Sequence, residues 1–285
     1  VYKQRLSSNE WLSDETRDMA IRKLETMSIH VGYPDQANPL YSLMKTVPAS
    51  EGGTLVENVM AFSRSASEYT HKLCGQPVDR SEWPLSASTV NAMYSPLNNS
   101  INFPAAILQE PFYSQEQSVS ANYGGIGAVI AHEISHAFDP NGSKFDENGS
   151  LANWWTEEDL AKFEELSQAM IEQFDGLSFA GGTVNGALTV TENVADAGGL
   201  SCALEALKQA EAEPDLADFF ISWARIWRQK STEEYENMML VMDVHAPNKL
   251  RANIQPQNLV DFFVTFGIEE GDGMYRAPED RVSIW

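Results

Sequence analysis

A run near the middle of the chain, Ala131-His132-Glu133-Ile134-Ser135-His136, restricts the possible folds more than any other feature, because it sits in a segment that reads as helix. Residues four apart share one face of a helix, so His132 and His136 can aim both imidazoles at one point. Two neutral imidazoles supply half of a tetrahedral zinc site, and Glu133 beside them is a carboxylate that could act on the metal's water. A fold that uses this run must hold the helix in a dry interior and bring further ligands to it. Ile126, Val129 and Ile130 provide apolar neighbours, while Gly124, Gly125 and Gly127 cost helix propensity and predict close packing of another element. Taken alone, the five-residue pattern recurs by chance on ordinary helices.

A catalytic zinc needs a third protein ligand and an open position. The segment Thr191-Glu192-Asn193-Val194-Ala195-Asp196 reads as the start of a helix, with Glu192 and Asp196 on one face. One carboxylate could bind the metal while the other accepts a hydrogen bond from a ligating imidazole, fixing its tautomer. An acidic pair at a helix start can equally be a solvated response to the helix dipole. Here Ala197-Gly198-Gly199-Leu200 follows, a small-residue stretch that suits burial, and a buried acidic pair wants a cation. Farther on, His245 lies two residues after Asp243 and six before Arg251. That grouping reads as an ordinary charged loop, or as a histidine held by a carboxylate to donate to an oxyanion, with an arginine to clamp a substrate carbonyl. His30 and His71 have no ligand-like company.

Composition excludes several classes of function. With 285 residues and 43% hydrophobic content, the chain can bury one large core or two modest ones. A net charge of −22 argues against nucleic acid and against anionic lipid surfaces. Two cysteines, Cys74 and Cys202, cannot make a disulfide-stapled fold, and no apolar run approaches the roughly 20 residues of a membrane span.

Along the chain, Ser13 predicts an N-cap for a helix that carries Met19, Ile21, Leu24 and Met27 and is stopped by Gly32-Tyr33-Pro34. A second helix is expected at about 54–73. Thr89–Tyr94 and Ser100–Pro104 read as two strands joined by a turn. From about 118 the pattern is mainly helical, over Ser118–Phe138, Thr156–Phe174, Glu192–Ala212, Asp215–Arg228 and Glu233–Leu240. Asp139-Pro140-Asn141-Gly142 reads as an Asn-Gly turn, and the terminal Ser283-Ile284-Trp285 is apolar enough to enter a core.

In order and spacing, several segments resemble the neprilysin and endothelin-converting-enzyme family of zinc metallopeptidases, including the bacterial oligopeptidase O group. They are Asn91-Ala92-Met93-Tyr94, Phe103 to Gln109, Pro111-Phe112-Tyr113, His132 to Asp139, Trp154-Trp155, Glu192 to Gly199, His245 to Arg251 and the terminal Trp285. The resemblance implies an α+β, mainly α, thermolysin-like zincin fold with a small sheet carrying a substrate-binding edge strand. It implies an N-terminal helical segment, 1–80, packed on a catalytic domain, 81–285. His132, His136 and Glu192 would bind one Zn2+ per chain. Glu133 would activate water and carry its proton to the leaving amine, and Asp196 would orient His132. His245, held by Asp243, would stabilise the oxyanion, and Arg251 would grip a substrate carbonyl.

Asn91 and the Ala92 backbone would align the peptide as an added strand, and Ile107, Phe112, Val129 and Trp227 would line an apolar pocket for a bulky residue just after the cleaved bond. The expected activity is that of a zinc endopeptidase acting on oligopeptides, the alternative a zinc-binding or peptide-binding module without turnover. Members of the family are more than twice this long, and their N-terminal half builds a capping lobe, so these 285 residues read as the C-terminal catalytic portion. Arg281-Val282-Ser283-Ile284-Trp285 has no cysteine where the animal ectoenzymes have one, which points to a bacterial-type, cytoplasmic protein and leaves a secreted or surface one open.

Overall fold

Ser13 accepts a hydrogen bond from the Thr16 amide, and Asp14 and Glu15 occupy the first turn it caps, where the positive end of the helix dipole favours acids. The computed structural model, which describes residues 1–285, thus begins with α1 (Tyr2–Ser8) and α2 (Asp14–Glu25), both sending apolar side chains into one core. The helix expected to run to Gly32 stops at Glu25. Ser28–Gly32 is instead a strand, β1, paired in parallel with β3 (Ser100–Pro104) from Ser28 opposite Ser100 to Gly32 opposite Pro104. Its apolar residues Ile29 and Val31 face outward, 68% and 58% exposed, so apolar spacing alone hides the strand that β-branched residues and ladder hydrogen bonds favour.

β2 (Met93–Ser95) joins β3 antiparallel, giving the order β1-β3-β2 with β2 at an edge. This strand is shorter than expected, and Asn91 and Ala92 form an irregular approach to it rather than part of the ladder. β3, at the centre, is buried along its whole length.

Between β1 and β2 lie α3 (Leu40–Leu43) and α4 (Leu55–Leu73), the latter opened by a reciprocal capping box between Thr54 and Glu57. No residue of α4 is buried, and Leu55, Val56, Val59 and Met60 are each more than half exposed. The segment expected as one helix over 118–138 is a relay of α5 (Val119–Asn122), a wide turn over Tyr123–Gly127, α6 (Ala128–Ser135) and a tight turn over His136–Phe138. The predicted close packing at its glycines is real. A Cβ on Gly124 would fall 2.0 Å from the Phe219 carbonyl oxygen of α9 (Leu216–Ile226).

α7 (Glu157–Phe174) fills the expected segment, capped by that segment's first residue, Thr156, and a two-residue hairpin of β4 (Ser178–Phe179) and β5 (Gly182–Thr183) follows. α8 (Gly186–Ala210) starts earlier than read, with Asn185 as its cap, so Glu192 and Asp196 lie well inside it. α10 (Glu233–Met242), α11 (Asn248–Ile254) and α12 (Val260–Phe266) complete the chain. α8 is the central helix, with α6 on one side and α7 on another. The fold is therefore α+β, mainly helical with a small sheet, and no helix is long and apolar enough to cross a membrane.

Candidate metal centre and peptide cleft

α6 and α8 can carry a shared site because their contact is built from small residues. A Cβ on Gly199 would lie 2.8 Å from the His132 Cα, so no larger residue fits there without moving α8 away from the histidine. At this spacing His132 Nε2 and His136 Nε2 are 3.0 Å apart, and Glu192 Oε2 is 3.4 Å from each. Metal bonds of about 2.05 Å at tetrahedral angles put donors about 3.3 Å apart, so this donor set fits a zinc-sized ion. The three ligand atoms also form the cluster of His, Cys, Asp and Glu groups able to share an ion.

The tautomers follow from what stands behind the rings. His132 Nδ1 donates to Asp196 Oδ1 at 2.9 Å, and His136 Nδ1 donates to Asp139 Oδ2 at 2.6 Å. Each Nε2 of a neutral ring then carries a lone pair, and both lone pairs face the Glu192 carboxylate. Glu192 Oε2 accordingly is buried without a hydrogen bond of good geometry, the signature of an oxygen placed for a cation. Burial by itself would raise the Glu192 pKa, but the three neighbouring imidazoles outweigh it and hold the carboxyl far below the usual range. Burial also works against charge on His132 and His136, yet their carboxylate partners win and raise both, His136 strongly.

Asp196 is 0% exposed and serves two partners. Besides His132 it accepts from Arg251 Nε and Nη2, each at 2.7 Å, and this pairing outweighs burial to pull its pKa down to about 2. Arg251 is itself buried, its guanidinium 3.6 Å from the centre of the Trp227 ring, and Nη1 makes no hydrogen bond within the protein. His245 brings a third imidazole, Nε2 3.2 Å from Glu192 Oε2, while its Nδ1 donates to Asp243 at 2.8 Å. Burial lowers the His245 pKa, but Glu192 and Asp243 raise it on balance.

These groups open onto a cleft of about 490 Å³. Its wall includes Glu133, 5% exposed, together with Asn91, Ala92, Ile107, Phe112, Val129, Trp227 and Arg251. Every residue expected to touch substrate therefore borders one space beside the metal-ligand cluster, and Asp196 and Asp243 stand behind it. Asp139 is a functional residue that its sequence context hides, because Asp139-Pro140-Asn141-Gly142 reads as a turn. The available signal was an acid one helical turn after His136, close enough to reach that ring. The tie between Arg251 and Asp196 spans 55 residues, and no local pattern announces it.

A model of peptidase family M13 matches residues 91–282. Over all 285 residues the chain is 52% identical to a neutral endopeptidase of Lactococcus lactis subsp. lactis and covers 45% of it. Among solved structures, PepO from Lactobacillus rhamnosis HN001 aligns with the whole chain at a TM-score of 0.94 and 43% identity, 45% of that chain being covered. The zinc metalloprotease Zmp1 of Mycobacterium tuberculosis, solved with an inhibitor, aligns at 0.92 and 36% identity, again with 45% covered. The chain thus spans less than half the length of the relatives it matches.

Proposed function

Because the chain belongs to peptidase family M13, we propose that it is a zinc endopeptidase that hydrolyses oligopeptides and favours a bulky hydrophobic residue just after the cleaved bond. The observation that carries this reading is the convergence of His132, His136 and Glu192 on one point, each imidazole backed by a carboxylate, with Glu133 on the adjoining cleft wall. Those three residues would hold one zinc, which when bound supplies Lewis-acid polarisation of water and of the peptide carbonyl.

Glu133 would take a proton from the attacking water and deliver it to the leaving amine nitrogen, a transfer that needs a carboxylate close to both. With Nδ1 donating to Asp243, His245 can donate through Nε2 only as the imidazolium, and in that form it would stabilise the carbonyl oxygen as negative charge develops. Arg251 offers its free Nη1 to a substrate carbonyl. Asn91 and Ala92, leading into the edge strand β2, would pair with the peptide main chain, and Ile107, Phe112, Val129 and Trp227 would take the hydrophobic side chain. The exposed apolar face of α4 would seat a further portion of the same polypeptide, consistent with relatives more than twice as long.

The test is Glu133→Gln. It should keep about one zinc per chain and lose hydrolysis of a short hydrophobic peptide by about three orders of magnitude or more. Turnover near the wild-type value would sink the assignment. A wild-type chain that binds zinc and peptide but cleaves nothing would favour the module without turnover. Cleavage abolished by a chelator and restored by zinc supports the enzyme.

A further inference from the structure

Lys23, on α2, is 1% exposed, far from the usual place of a lysine, and it makes no ion pair within salt-bridge distance. Its ammonium instead spends all three protons on main-chain oxygens, those of Ala137 at 2.8 Å, Gly142 at 2.6 Å and Phe145 at 2.7 Å. The rings of Tyr94, Phe138 and Trp154 surround it with centroids 5.8–6.0 Å away. Burial pulls its pKa down to about 7, opposed by the charges of Asp139 and Asp146.

The three carbonyls belong to the stretch that leaves the metal helix. Ala137 directly follows His136, and a cation there meets the negative end of the helix dipole. Between Ala137 and Gly142 lies Asp139, whose Oδ1 accepts from the amides of Asn141 and Gly142, both at 2.7 Å, and whose Oδ2 accepts from His136 Nδ1. Lys23 therefore grips both ends of the turn that points a carboxylate at one proposed zinc ligand. We infer that Lys23 is a positioning residue for the metal centre, acting through the Asp139 turn on the orientation of His136. The inference rests on the metal reading of His132, His136 and Glu192. It makes helix α2 part of the zinc site's support, although Lys23 is neither a metal ligand nor part of the cleft wall.

Zinc affinity of the metal-free folded chain, measured by competition with a chromophoric chelator, tests this without reference to turnover. Lys23→Met should weaken zinc binding about 10- to 100-fold, as should Asp139→Asn, because outer partners of metal ligands have effects of that size. The decisive reading is the double variant. If Lys23 acts through Asp139, the pair should bind no more than about threefold more weakly than the poorer single variant. Met170→Ala, in the α7 core, should lower thermal stability but leave zinc affinity within about threefold of wild type. Wild-type affinity in Lys23→Met, or losses that multiply in the double variant, would overturn the inference. Should Lys23→Met not fold, Lys23→Gln, which keeps two N–H donors, is read in the same way; failure of both to fold would assign Lys23 to the core alone. A wild-type chain that binds no zinc would instead remove the metal reading itself.

Discussion

Asp196 is a single buried carboxylate asked to satisfy an imidazole and a guanidinium at once. Charges so deeply buried are tolerated because they are paired, and removing one member leaves the other uncompensated. Asp196→Asn would put an amide nitrogen either where Oδ1 accepts from both His132 Nδ1 and Arg251 Nη2 or where Oδ2 accepts from Arg251 Nε, so at least one of these donors must go without an acceptor. The expected cost is about 3–5 kcal/mol of stability by analogy with broken buried ion pairs, with zinc held about 10- to 100-fold more weakly. Urea unfolding of the metal-free protein and chelator competition measure the two separately, and wild-type values in both would refute the dual role. At this scale the sequence was informative where spacing is local. Glu192 and Asp196, four apart on a helix, were visible as a pair. Asp139 was not, because a turn sequence explains Asp-Pro-Asn-Gly without any reference to the preceding histidine. Nor was Lys23, since nothing in a helix marks one lysine among others as buried.

Elements meet in this protein through their caps. Thr156 caps α7 and accepts from the Asp159 amide, while the Asp159 carboxylate reaches α2 and accepts from the Ser13 amide at 3.1 Å and from the Ser13 hydroxyl. Burial would raise the Asp159 pKa, but the hydroxyls of Ser13, Thr16 and Thr156 and the Ser13 amide outweigh it and lower it. A carboxyl with a lower pKa in the folded than in the unfolded chain binds fewer protons when folded, so stability rises with pH across the interval between the two values. The contribution is complete above the unfolded value, near 4, and is lost as pH falls through the folded one. Asp159→Asn should cost about 2 kcal/mol at pH 7, the scale of hydrogen bonds to a charged group, and should flatten the loss of stability below pH 4. Urea midpoints for both proteins from pH 7 to pH 3 check this, and parallel pH profiles would contradict it. Helix starts were legible in advance for this reason: Ser13 and Thr156 sit where local chemistry needs a cap, while the capping box of Thr54 and Glu57 is seen only in the structure. β1 was not, because its partner β3 lies some seventy residues away in sequence and its apolar side chains point outward rather than into the core.

At the scale of the whole chain, the two ends close on each other over the back of the site. Arg5 on α1 donates to Glu205 at 2.6 Å and to the Ser201 hydroxyl at 2.8 Å, both on α8, and reaches the Trp285 carbonyl at 3.4 Å. The Trp285 ring stacks on Phe163 of α7 with centroids 5.5 Å apart and packs on Trp11 at the same distance and on Phe138 at 5.9 Å. One terminal residue therefore touches the N-terminal segment, the turn after the metal helix and α7. The apolar end of the sequence announced that it would be buried, but not which elements it would join. Trp285→Ala should cost about 3 kcal/mol, near the lower bound for truncating a buried aromatic because this ring is only partly buried. For a chain of this size that corresponds to a fall in Tm of roughly 6–10 °C. Trp285 borders the contact of α6 with α8, since a Cβ on Gly198 would meet both Ser135 and the Trp285 ring, but His132, His136 and Glu192 face a cleft whose wall does not include it, so zinc affinity of the folded variant should stay within about threefold of wild type. Calorimetry and chelator competition on the same samples decide it. An unchanged Tm would show that the aromatic cluster closes without its last member, and a large loss of zinc affinity would show that the seam between the termini holds the metal helix in place.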